Sequence, residues 1–102
     1  MSKKILLVED EALIAMSEAQ MLEKHGFEVV CVHNGDEALD ALKTDSRISL
    51  VLMDIDLGRG MDGTETARRI LKTRELPIIF LTSHSEKEYV DRVEKISGYG
   101  YV

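Results

Sequence analysis

The chain has 102 residues, 44% of them hydrophobic and 31% charged, which suits one globular domain and excludes a disordered tract. Thirteen Lys and Arg against 19 Asp and Glu leave a net charge of −6 with no basic stripe, which argues against direct nucleic-acid binding. Its single cysteine, Cys31, rules out an intrachain disulfide and a cysteine metal cage, and no stretch approaches the ~20 apolar residues of a membrane span.

The N-terminal Met-Ser-Lys-Lys leads into only four strongly apolar residues, Ile5 to Val8, too few for a signal peptide. A reduced, cytoplasmic chain is expected. Ile5–Val8 reads as a first strand. Leu13, Ile14, Ser17, Met21 and Leu22 then share a helical face, with Gly26 placed to end that helix and His25 set favourably at its carboxyl end. Phe27–Val32 reads as a second strand, with Cys31 as a small strand hydrophobe; His33 follows and receives no role. Asn34 with Glu37 forms a capping-box signal for a second helix with Ala38, Leu39 and Leu42 inward. Leu50–Met53 is the third strand. Ala67, Ile70 and Leu71 mark a third helix, with Arg68-Arg69 on a solvated face. Pro77 opens a fourth strand, Ile78–Thr82, where its missing N–H is tolerable. Ser85 with Glu88 caps a fourth helix bearing Tyr89, Val93 and Ile96, and a last strand begins near Tyr99. Continuously apolar runs at Ile5 and Leu50 are the mark of strands buried on both faces. The expected fold class is therefore α/β, a doubly wound parallel sheet.

Open α/β sheets bind ligands beyond the carboxyl ends of their strands. The first strand runs into Glu9-Asp10, the third into Asp54 and, two residues on, Asp56, and the fourth into Thr82-Ser83-His84. If the first and third strands are neighbours, Glu9, Asp10 and Asp54 converge, and like charges that close call for a cation or a proton. Oxygen ligands without His or Cys suit Mg²⁺, with Mn²⁺ as a substitute. A carboxylate beside such an ion can attack phosphorus, and the Thr82 hydroxyl is placed to contact the transferred group.

Four segments carry a family resemblance: Lys4-Ile-Leu-Leu-Val-Glu-Asp-Glu11, Leu52-Met-Asp-Ile-Asp56 with Met61-Asp-Gly63, Pro77-Ile-Ile-Phe-Leu-Thr-Ser83, and Gly100-Tyr-Val102. Together they resemble the receiver domain of two-component response regulators along essentially the whole chain. The resemblance implies a flavodoxin-like sheet in strand order 2-1-3-4-5. It implies Asp54 as phosphoacceptor, Glu9 and Asp10 as the metal-binding pair, and the backbone carbonyl of Asp56 completing the Mg²⁺ site. Thr82 resembles the switch hydroxyl and Tyr101 the aromatic that moves with it, while Asp56 and His84 occupy positions that modulate how long the phosphoryl group lasts. A sensor histidine kinase or phosphotransfer domain is the implied donor, and a second copy of the chain is an expected partner through the fourth-helix/fifth-strand face; neither nucleic acid nor membrane is expected.

Departures from the family pattern are informative. The loop after Asp54 is one residue longer than the commoner form and lacks its Met-Pro pair. The family's lysine would fall two residues past Val102 and the final helix beyond it, so the expectation is one receiver domain, 1–102, incomplete at its C-terminus. Two other readings compete. Asp54-Ile-Asp56 at the end of an apolar strand resembles the nucleophile motif of haloacid-dehalogenase-type phosphatases, but that leaves Glu9-Asp10 and Thr82 only partly explained. A pseudo-receiver, folded but not phosphorylated, fits the absent lysine and conflicts with the intact acidic set. Gly58-Arg-Gly-Met-Asp-Gly63 formally matches a dinucleotide loop, yet Asp54 and Asp56 ahead of it would repel a pyrophosphate. The expected activity is phosphoryl acceptance by a signalling domain rather than enzymatic turnover.

Overall fold

Strand β1 (Lys4–Val8) is buried along its whole length, because it lies inside the sheet with helices on both faces. The structure, a computed structural model, describes residues 3–54 and 62–81. In chain order the remaining elements are α1 (Ala12–Lys24), β2 (Glu28–Val32), α2 (Gly35–Thr44), β3 (Ile48–Asp54), α3 (Gly63–Leu71) and β4 (Ile78–Leu81). All strand pairs are parallel, in the order β2-β1-β3-β4. This is the doubly wound α/β sheet expected; the fourth helix and fifth strand fall outside the described residues.

Alternation along the strands divides the core. Ile5, Leu7, Leu50, Leu52 and Ile79 pack on α1 through Ala15 and Leu22, while Leu6, Val8, Val51 and Met53 pack on Ala38 and Leu42 of α2 and Ile70 of α3. Each such side chain, fully buried, contributes roughly 1.5–3 kcal/mol. The helix ends follow their sequence signals. Asn34 caps α2 by accepting the Glu37 N–H at 2.9 Å, and Asp62 caps α3 by accepting the Glu65 N–H at 2.8 Å. Gly26 follows α1 at φ +93°, a left-handed conformation that glycine adopts without a Cβ penalty. His25 Nδ1 lies 3.0 Å from the Met21 carbonyl, as a donor at the helix end would.

Two expectations need correction. The inward stripe of α1 is Ala15, Glu18 and Leu22, whereas Leu13 is 80% exposed and Ser17 also faces solvent. Cys31 is exposed, because β2 is an edge strand whose cover is partial. The Arg68-Arg69 face is solvated as expected, and both guanidinium groups pair with Glu65.

At the amino end of the sheet, Arg74 clasps the α2–β3 connection. Its Nη1 donates to the carbonyls of Leu42 and Asp45, and its Nη2 to those of Ser46 and Ile48, at 2.5–3.3 Å. Lys4 pairs with Asp45 and, at 3.6 Å, with Glu28. The acidic site lies at the opposite end.

Candidate functional site

The parallel register brings the acidic residues together. Val32, Val8 and Met53 lie abreast in β2, β1 and β3, so the next residue along each strand forms a row of His33, Glu9 and Asp54. The Glu9 N–H continues the ladder by donating to the Val32 carbonyl at 3.0 Å. Carboxylate oxygens of Glu9, Asp10 and Asp54 all lie within 4.8 Å of one another. Glu9 is 1% exposed, Asp54 is half-buried and Asp10 is open to solvent, so the cluster grades from the interior to the surface.

This gathering strains the ionised state. Burial pushes the Glu9 carboxyl up from an ordinary 4.5 to about 7, against the lowering effect of the Glu11 N–H, which donates to its Oε2 at 3.2 Å. Part of that rise comes from Asp54, by charge and side-chain hydrogen bonding, and from the charge of Glu18, a second buried acid on α1. Glu9 Oε1 is buried, and no N–H or hydroxyl of the described residues donates to it. A buried oxygen lacking a donor, beside two further carboxylates, is what a hard divalent cation would satisfy. With oxygen as its sole donor type and one edge open to solvent, the set fits Mg²⁺, which keeps several waters.

Of the residues singled out in the sequence, Glu9, Asp10 and Asp54 are brought together. Asp56, Thr82, His84 and Tyr101 lie outside the described residues, as does the glycine-rich loop. His33, passed over in the sequence, stands next to the site with its Nδ1 3.1 Å from the Glu9 carbonyl oxygen. Strand order is the signal that could have found it, since β2 neighbours β1 and both end in the same row. Among the described residues, no helix is long and apolar enough to cross a membrane.

The chain is similar to known proteins along nearly its whole length. The family model described as "Response regulator receiver domain" matches residues 5–102. The transcriptional regulatory protein PdtaR of Mycobacterium tuberculosis is 35% identical over 101 residues, covering 98% of this chain and 48% of that protein. The chain thus spans about half the length of that curated relative. Among solved structures, the N-terminal domain of a response regulator/sensory box/GGDEF protein from Carboxydothermus hydrogenoformans superposes with a TM-score of 0.85 at 33% identity. That match covers 91% of this chain and 92% of the other. A further similar structure, the complex of histidine kinase ThkA with response regulator TrrA from Thermotoga maritima, matches at a TM-score of 0.73 and 36% identity, over 81% of this chain and 71% of the other. With a family model spanning nearly every residue and relatives above 30% identity over most of the chain, this protein belongs to the receiver domains of two-component response regulators.

Proposed function

We propose that this domain accepts a phosphoryl group on Asp54 from a phosphohistidine of a sensor kinase or phosphotransfer domain in a Mg²⁺-dependent reaction. The observation that carries this reading is the convergence of Glu9, Asp10 and Asp54 within 4.8 Å at the carboxyl ends of adjacent parallel strands. Glu9 and Asp10 would hold the ion together with Asp54 and the Asp56 main-chain carbonyl. When bound, Mg²⁺ offsets negative charge on the transferring group. An Asp54 oxygen attacks phosphorus, an O–P bond forms as the N–P bond of the phosphohistidine breaks, and the freed imidazole retains its proton. By the family resemblance, Thr82 contacts the phosphoryl oxygens, Tyr101 follows it, and Asp56 and His84 govern water access.

Docking of the donor is supported by Leu13 and Met16, 80% and 56% exposed and one turn apart on α1, directly after the acidic turn. A similar receiver is known in complex with a histidine kinase. Charge arriving on Asp54 would bias a two-state surface around the fourth helix and fifth strand, where an output partner or a second copy binds. A cytoplasmic location suits this chemistry. The test is incubation with acetyl phosphate or phosphoramidate. Uptake of one phosphoryl group per chain, dependent on Mg²⁺ and abolished by chelator, is expected. Steady release of many phosphates per chain would favour a phosphatase, and no uptake a pseudo-receiver.

A further inference from the structure

The end of β2 holds Glu9 by both of its main-chain polar groups. The Glu9 N–H donates to the Val32 carbonyl at 3.0 Å, and His33 Nδ1 lies 3.1 Å from the Glu9 carbonyl oxygen. A carbonyl oxygen only accepts, so Nδ1 carries the proton and, in the neutral ring, Nε2 does not. His33 is itself fixed from the other side. Its N–H donates to Glu37 Oε1 at 2.8 Å, while the Glu37 N–H is taken by the Asn34 cap. Hydrogen bonds therefore run without a break from the first turn of α2, through His33, to the main chain of the residue whose carboxylate sits deepest in the acidic cluster.

We infer that His33 is a positioning residue for the acidic site: its Nδ1–H fixes the Glu9 carbonyl, and so the orientation of the Glu9–Asp10 turn that gathers the three carboxylates. The inference rests on reading Glu9, Asp10 and Asp54 as a divalent-cation site. Three carboxylates repel one another, and a turn free to relax would let Asp10, the exposed member, swing outward. Holding the turn lowers the ordering cost met when the ion arrives. Outer-shell hydrogen bonds that orient metal ligands are typically worth about 10- to 100-fold in affinity.

The test titrates Mn²⁺ into the 102-residue chain, following free ion by electron paramagnetic resonance, for wild type, His33→Ala and His33→Asn. His33→Ala should weaken Mn²⁺ binding about tenfold. His33→Asn, whose amide nitrogen stands where Nδ1 stood and again offers an N–H, should recover most of that loss. Melting temperatures in chelator should be alike for all three, which separates positioning from general destabilisation. Wild-type binding that His33→Ala leaves unchanged, or that His33→Ala and His33→Asn weaken equally, would overturn the role of His33 while leaving the cation site standing. A wild type that binds no Mn²⁺ would overturn the cation-site reading itself. Nitrogen NMR of the wild-type imidazole checks the geometry without any variant: protonated Nδ1 is expected, and a neutral ring protonated on Nε2 instead would overturn the inference.

Discussion

Replacing Asp54 by Asn should make the ion-free protein more stable above neutral pH and leave it nearly unchanged near pH 4. Glu9 is the reporter. Its folded-state pKa is about 7 against an ordinary 4.5, so between those values the folded protein holds a proton that the unfolded chain has released. The Glu9 contribution to stability is therefore fully present below pH 4.5, is lost as pH rises through 7, and is absent beyond. A shift of that size corresponds to about 3 kcal/mol across the window, a sizeable part of the 5–15 kcal/mol typical of a domain. Burial is its largest cause and persists in the variant; the contribution of Asp54 does not. Roughly 1 kcal/mol of the penalty should be recovered in Asp54→Asn at about pH 8. Urea denaturation in chelator at about pH 4, 6 and 8 measures this, with an unchanged m-value confirming that the unfolded state is unaltered. Equal stabilisation at all three pH values, or none at pH 8, would refute the coupling between the two carboxylates.

Mg²⁺ at 10–100 times its Kd should add roughly 1–3 kcal/mol to the wild type above neutral pH, read as a rise in melting temperature over chelator, and this gain should shrink in Asp54→Asn and below pH 5. Arg74→Ala, which strips donors from four main-chain carbonyls, should cost about 2–3 kcal/mol in urea denaturation while leaving the Mg²⁺ response intact, because the clasp lies at the opposite end of the sheet. Glu65 is held down to about 2 by hydrogen bonds from Arg68 and Arg69, so its contribution is present above pH 4.5 and fades as pH falls through 2. Glu65→Gln should flatten acid unfolding in that interval alone.

The acidic core of the site was legible because its residues end apolar strands, and strand ends are the most regular feature of this sequence. Glu9 and Asp54 needed only the neighbouring of β1 and β3 to meet, and the parallel ladder provides it. The two core-facing sides of β1 were equally plain in the run Ile5–Val8. The phase of α1 was not. Leu13, Ile14, Ala15 and Met16 are apolar all round the helix, and the true inner stripe contains an acid, Glu18, which hydrophobic periodicity counts against burial. Strand β3 begins at Ile48, two residues ahead of the expected Leu50, because exposed Ser49 interrupts the apolar run as the extra residue where the register against β1 shifts between Lys4 and Ile5. His33 carries no local signal, since its partner is 24 residues away and is a main-chain oxygen that any residue would offer.

The most direct test of the account is where the phosphoryl group goes. The chain is treated with acetyl phosphate and Mg²⁺, trapped with borohydride, which reduces an aspartyl phosphate to homoserine, and mapped by peptide mass spectrometry. The account predicts reduction at Asp54 in the peptide containing Leu52 to Asp56, and none in Asp54→Asn. Modification at Asp56, or phosphate retained on Ser83 while Asp54 stays untouched, would contradict it.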